Sequence, residues 1–252
     1  MPVGTIVHWL ESVSSTNDAA RDLALGGAEH GTAVVAGEQN RGRGTKGRAW
    51  HSPRRLGLYA SFIIRGPAGG PVPVLHLLPL GAGLAASDAI LATAGITVRL
   101  KWPNDLVHEG KKLGGILCES VSGGTGGAFA VVGVGVNIGH ELADFPGDIR
   151  ATSTSLRLLG VGTVTKESVF DGLCRAMDCW YNVLARGEKE PVVRTFEARM
   201  AFSRGESIRV TTAAGTFTGI CRGLDEEGRL VVDRGGAAGT VALDAALGLD
   251  RA

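Results

Sequence analysis

Residues 37–50, GEQNRGRGTKGRAW, set the tightest limit on how this chain folds. Glycine alternates with cations at Arg41, Gly42, Arg43, Gly44, Lys46, Gly47 and Arg48, and Trp50 closes the run. No apolar face of period 2 or 3.6 can be drawn through it, so it is neither core strand nor core helix. The apolar runs on either side, residues 32–38 (TAVVAGE) and 58–64 (LYASFII), predict two buried strands. The chain is therefore expected to carry a glycine-and-arginine loop between strands of a sheet. Alone, such a loop has two readings. One is a solvated linker. The other is an anion cradle: glycine lets the backbone approach a ligand with its N–H groups bare, and arginine forks match carboxylate or phosphate. With 26 Lys plus Arg against 25 Asp plus Glu, net charge is only +1. These cations are thus a local feature, and no general attraction to nucleic acid or to a membrane surface is implied.

Either side of the loop, the chain reads as alternating strands and helices. Residues 5–10 predict a first strand. Ser15 or Thr16 can cap a short helix from about Asn17 to Leu25, ended by Gly26-Gly27. Capping uses one hydroxyl, whereas Ser15, Thr16 and Asn17 supply three adjacent polar side chains, so a ligand role stays open beside the capping role. Residues 66–73 (GPAGGPVP) read as a turn-rich bridge, and 74–94 as a long apolar helix stopped by Gly95. Residues 96–121 (ITVRLKWPNDLVHEGKKLGGILCESV) read as strand, turn at Trp102-Pro103-Asn104-Asp105, strand, hairpin turn at Glu109-Gly110, strand. Such a hairpin lets Asp105 and Lys112 share a face. Lys112 on its own reads more often as a snorkelling structural charge than as a ligand group. Gly114-Gly115 in mid-strand marks close approach of a ligand or another backbone. Residues 128–138 predict a central strand whose Gly133 and Gly135 leave room for a flat ligand, with Asn137 at its end either reading a ligand edge or forming a turn.

Residues 140–165 read as loop, and 166–186 and 190–200 as helices, the first with a core stripe at helical spacing. From Ser203 onward, short β-rich runs separated by glycine and acidic turns predict a small antiparallel barrel or half-barrel. A boundary falls near 201, giving a domain at 1–201 and a smaller one at 202–252. At 44% hydrophobic residues the chain can build a substantial core. The four cysteines, Cys118, Cys174, Cys179 and Cys221, form no C-x-x-C pair and no zinc spacing, which favours isolated thiols in a reducing compartment and no protein-built metal site. No signal peptide opens the chain. Residues 72–95 come nearest to a membrane span but are interrupted by Pro73, His76, Pro79 and Asp88. A cytoplasmic location is expected.

Taken in order, these motifs resemble the bacterial biotin protein ligases, the biotin–[acetyl-CoA-carboxylase] ligases, across nearly the whole chain. The matching elements are Ser15-Thr16-Asn17, Gln39 with the glycine-arginine loop to Trp50, Lys101 to Asp105, Lys112 to Leu117 with Glu119, Gly133-x-Gly135-x-Asn137, and the C-terminal β-rich segment. The resemblance implies an α+β fold: a class II aminoacyl-tRNA synthetase-like mixed sheet flanked by helices, followed by an SH3-like barrel. Because the chain starts at the first strand, it looks like the type without an N-terminal DNA-binding domain. The implied reaction activates biotin with ATP to biotinoyl-5′-AMP, then acylates a lysine of a biotin carboxyl carrier protein or domain. Biotin and ATP are substrates with Mg²⁺ in attendance, no DNA or membrane partner is expected, and the protein is a monomer or homodimer. Lys112, Arg43 and Asp105 would be catalytic. Biotin would lie among Ser15, Thr16, Asn17, Gln39, Arg43, Gly44, Thr45, Lys112, Gly115 and Gly135. ATP would meet Lys46, Arg48, Trp50, Asn104 and Asn137. Relatives usually have Arg where this chain has Thr45, and their C-terminal motif differs from residues 243–251 here, which puts any ATP contact from that segment in doubt. A lipoate–protein ligase, which shares the fold, and a non-catalytic biotin-binding regulator are the rival readings.

Overall fold

In the computed structural model, which describes residues 1–67, 73–121 and 127–252, the chain forms two β-sheets and four α-helices. Most of the expected bridge at 66–73 lies outside the described residues. The first sheet has seven strands: β1 (Val7–Leu10), β2 (Ala33–Ala36), β3 (Gly57–Arg65), β4 (Arg99–Lys101), β5 (Asp105–His108), β6 (Lys111–Val121) and β7 (Phe129–Asn137). Their spatial order is β1-β2-β3-β7-β6-β5-β4. Only β1 and β2 run parallel, so the sheet is mixed and the fold is α+β.

Strand alternation decides what each face carries. Leu58, Ala60, Phe62 and Ile64 of β3, with Val132, Val134 and Val136 of β7, point into the main core. There they meet α2 (Leu78–Ala94) and α3 (Lys166–Ala185), backed by α4 (Glu190–Ala198). With the turn before it, α2 spans Leu75–Ala94 and is long and apolar enough to cross a membrane, contrary to the sequence expectation; 67% of the span is buried inside the protein, as in a core helix. The opposite face is covered only at one end. There α1 (Thr16–Leu25) sets Ala20 and Ala24 on Val34, Ile63, Phe129 and Val131. Beyond α1 this face offers Gly115, Leu117, Gly133 and Gly135, and it is left for the loop 37–56 to roof.

The Glu109-Gly110 turn closes β5 on β6 as expected, with both residues at positive φ (46° and 77°), the geometry of a two-residue hairpin turn. A register shift after Leu106 pairs Asp105 with Gly115 and Val107 with Lys112. Asp105 and Lys112 are thus not cross-strand partners, and the long lysine stem closes the gap between them.

Residues 207–251 build the second sheet, five antiparallel strands: β8 (Ser207–Thr212), β9 (Gly215–Leu224), β10 (Leu230–Asp233), β11 (Thr240–Leu243) and β12 (Gly248–Arg251), in the order β11-β10-β9-β8-β12. Ile208, Val210, Leu230, Val232 and Leu249 join the same core as the first sheet. The junction is specific. Trp102 is buried and its indole Nε1 donates to the carbonyl of Gly228 at 2.9 Å, while Lys101 pairs with Asp250 at 3.0 Å.

Candidate active site

A cavity of about 460 Å³ opens between the uncovered face of the first sheet, the N-terminus of α1, the loop 37–56 and the segment leading into β12. Every residue singled out for biotin, ATP or catalysis lines it: Ser15, Thr16, Asn17, Gln39, Arg43, Gly44, Thr45, Lys46, Arg48, Trp50, Asn104, Asp105, Lys112, Gly115, Gly135 and Asn137. These residues come from distant parts of the chain, and the topology brings them to one place.

The floor is glycine because nothing larger fits. Gly115 and Gly135 face each other across β6 and β7. A Cβ on Gly135 would lie 2.6 Å from the Trp50 indole, and one on Gly133 would lie 2.2 Å from Asn17 Oδ1. Trp50, rather than open space, therefore occupies the Gly135 floor in this structure. Its Nε1 is buried without a hydrogen-bond partner. A buried donor left unpaired is disfavoured, and it marks this wall as one that a ligand acceptor would satisfy.

At the inner end, hydroxyls and amides form a network. Ser15 occupies the position before α1 in extended conformation, yet its side chain makes no capping bond. Thr16 donates from both N–H and hydroxyl to Gln39 Oε1, at 2.8 and 3.1 Å, and Gln39 Nε2 donates to Ser52 Oγ at 2.8 Å. Ser61, fully buried on β3, lies 2.8 Å from Thr16 Oγ1 and 2.6 Å from Asn17 Oδ1. The capping reading is thus set aside: Ser15 makes no capping bond, and the Thr16 and Asn17 groups look across the sheet, not along the helix. Neither Ser61 nor Ser52 was singled out from sequence. Ser61 had a signal, a small hydroxyl side chain inside a largely apolar strand; Ser52, in a polar loop, had none.

At the outer end stand the charges. Lys112 Nζ lies 2.6 Å from Asp105 Oδ1 and 5.4 Å from the centre of the Trp50 ring. The backbone of Lys112 is held by Thr152 and Thr154, its N–H donating to Thr152 O at 2.7 Å and its carbonyl accepting from Thr154 N at 2.9 Å. Lys46 sits at the loop tip with φ 61°, a left-handed conformation that a lysine adopts only under constraint. Desolvation and, next, the nearby Arg48 push its ammonium pKa down, while Asp105 pulls the other way. Behind the wall formed by His51 and Phe145, His140 is buried and stacked on Phe145; burial first, then His51, holds its imidazole at about 4, so no charge is added there near neutrality.

Four of these lining side chains are hydrogen-bonded to the protein itself. The Arg43 guanidinium grips Glu119 and Asp18. Arg48 donates to the carbonyl of Leu247 at 2.7 Å, which binds the loop to the second sheet. Asn104 Nδ2 donates to Ile116 O at 2.9 Å and braces the turn. Asn137 Nδ2 donates to Thr154 O at 3.0 Å inside the wall. Each lines the cavity, but in this structure its polar group is spent on the protein itself. Residues 246–250 of the C-terminal segment also form one side of the cavity.

Comparison with known proteins agrees with this geometry. Residues 9–137 match the biotin/lipoate A/B protein ligase family and residues 205–239 the biotin protein ligase C-terminal domain. The bifunctional ligase/repressor BirA of Bacillus spizizenii is 32% identical over 92% of this chain and 70% of its own length. The biotin–[acetyl-CoA-carboxylase] ligase of Paracoccus denitrificans is 35% identical over 88% of this chain and 92% of its own. The solved structure of a biotin protein ligase from Aquifex aeolicus in complex with biotin and ATP superposes with a TM-score of 0.82 at 28% identity, covering 98% of this chain and 100% of that one. By sequence, fold and the residues gathered around one cavity, the chain belongs to the biotin/lipoate A/B protein ligase family.

Proposed function

We propose that the protein is an ATP-dependent biotin ligase whose cavity binds biotin at its inner end and ATP at its outer end. The observation that carries the reading is Lys112 standing beside Asp105, at 2.6 Å, over a glycine-floored cavity lined at its far end by Thr16, Asn17 and Gln39. A biotin carboxylate oxygen attacks the α-phosphorus of ATP; the bond to the bridging oxygen breaks and pyrophosphate leaves. Two anions must meet for this step, and Lys112 neutralises the charge between them. In the second step a carrier lysine amine attacks the acyl carbon of biotinoyl-AMP. The C–O bond breaks, AMP leaves, and the amine loses its proton; Asp105 orients that amine.

The polar inner end takes the ureido ring through Ser15, Thr16, Asn17 and Gln39, and the flat glycine floor takes the body of biotin. Gly44 and Thr45 lie beside the biotin carboxylate, and Lys46 and Trp50 face the nucleotide. Thr45 places no cation in the loop beside the intermediate, so Lys46 carries that duty here. Mg²⁺ enters only as a companion of the ATP phosphates: among the described residues no three His, Cys, Asp or Glu side chains gather to hold a metal ion.

The seven-stranded part, to about residue 201, fits a class II synthetase-like catalytic domain, and the five-stranded sheet from about 202 an SH3-like unit. The acceptor is a biotin carboxyl carrier protein or domain of an acyl-CoA carboxylase. Incubated with biotin and ATP, the protein is expected to attach biotin to one lysine of a carrier domain, read by mass spectrometry and lost when that lysine is replaced. Biotinylation of carrier and unrelated proteins alike would refute directed transfer.

A further inference from the structure

The Arg43 side chain is not a free cation. Its Nη1 and Nη2 donate to the two oxygens of Glu119 at 2.9 and 2.8 Å, and Nη2 also donates to Asp18 Oδ1 at 2.8 Å. Glu119 Oε2 accepts in addition from Asn17 Nδ2 at 2.7 Å. One carboxylate thus joins three segments: the first turn of α1, the glycine-arginine loop and β6. By strand alternation Glu119 lies on the same face as Gly115 and Leu117, two residues past the cavity floor. We infer that Glu119 is a positioning residue: it anchors the loop to the sheet through Arg43 and fixes the Asn17 amide, and so shapes the biotin end of the cavity.

The loop geometry shows how one anchor orders a whole arm. Trp50 N–H donates to Gly42 O at 2.8 Å and Gly44 N–H donates to Arg48 O at 2.7 Å, so residues 42–50 form a narrow hairpin around the Arg43–Ala49 bridge. A Cβ on Gly42 would meet Trp50 O at 2.4 Å and Ser52 Oγ at 2.6 Å, so the two arms are in direct contact. Holding the Arg43 guanidinium holds this hairpin, and with it Trp50 over Gly135. A bidentate arginine–carboxylate pair suits the task, since it fixes orientation as well as distance. The same carboxylate sets the Asn17 amide. With Nδ2 on Glu119 and on Leu117 O, Oδ1 must face Ser61. Arg43 is thereby reassigned from catalysis to anchoring.

The consequence for biotin rests on the ligase reading above, but the anchoring does not, so the test has two arms. In Glu119→Gln the amide cannot accept from both guanidinium nitrogens and from Asn17. Tryptic cleavage after Lys46 and Arg48 is expected to run about fivefold faster than in the unaltered protein, with circular dichroism unchanged. The biotin KM in pyrophosphate exchange is expected to rise about tenfold with kcat within about threefold, a loss of binding rather than of chemistry. Arg43→Ala should do the same, and Glu119→Gln added to it should change little further, because the two act as one unit. Unchanged cleavage, additive effects of the two substitutions, or a fall in kcat at constant KM would each overturn the proposal. If the unaltered protein shows no biotin-dependent exchange, the ligase reading fails, and the cleavage rates alone decide the anchor.

Discussion

Replacing Lys112 by alanine is expected to lower the rate of adenylate formation about 10²-fold, or ~2.7 kcal/mol of barrier, which is the scale for removing one preorganised charge from a developing oxyanion. The prediction rests on position. Lys112 lines the cavity between the polar inner end and the outer end, and its backbone is tied to Thr152 and Thr154. Asp105, at 2.6 Å, holds it in line until substrate anions arrive. The pair is half-buried, so its own ion-pair contribution to stability is small, and the folded protein is expected to survive the substitution. Rapid-quench measurement of pyrophosphate release separates the chemical step from binding: a normal rate at saturating biotin would remove Lys112 from the mechanism.

Gly135→Ala is expected to raise the biotin KM about thirtyfold while destabilising the fold by about 1–3 kcal/mol, the range for overpacking a closed site. The added methyl would come within 2.6 Å of the Trp50 indole, a rigid ring that must leave the floor to make way. Gly115, directly across the strand pair, is the internal comparison. A Cβ there would stay 3.4 Å from Lys112 Cε and 3.6 Å from Trp50, ordinary contacts, so Gly115→Ala should raise KM only about threefold. Titration calorimetry with biotin on both variants checks the ranking; equal losses would mean that the floor is not shaped by Trp50.

What the sequence disclosed follows from how local each signal was. The Glu109-Gly110 turn was legible because a Glu-Gly pair parts two strand-like runs, and glycine accepts the positive φ that a two-residue turn needs. Gly133 and Gly135 were legible as a floor because period-2 alternation assigns them one face. The register shift after Leu106 was not legible, since nothing in the strand composition marks it. Nor was the fate of Arg43: its partners Glu119 and Asp18 lie 76 and 25 residues away, and only the folded sheet brings them together. The contact between the loop and the C-terminal segment was not legible for a different reason. Arg48 bonds a backbone carbonyl, that of Leu247, which any residue supplies, so no side-chain motif could announce it. Ser61 was the missed opportunity, because a buried hydroxyl amid Leu58, Tyr59, Ala60, Phe62 and Ile63 has to find a polar partner.

The measurement that bears most directly on the whole account is the exchange of labelled pyrophosphate into ATP by the purified protein, with biotin and lipoate supplied separately. The network of Thr16, Asn17, Gln39 and Ser61 offers donors and acceptors suited to a ureido ring, and lipoate's dithiolane ring has nothing to place there. Exchange driven by biotin and not by lipoate is the result expected. Exchange driven by lipoate and not by biotin, or by neither, would contradict it.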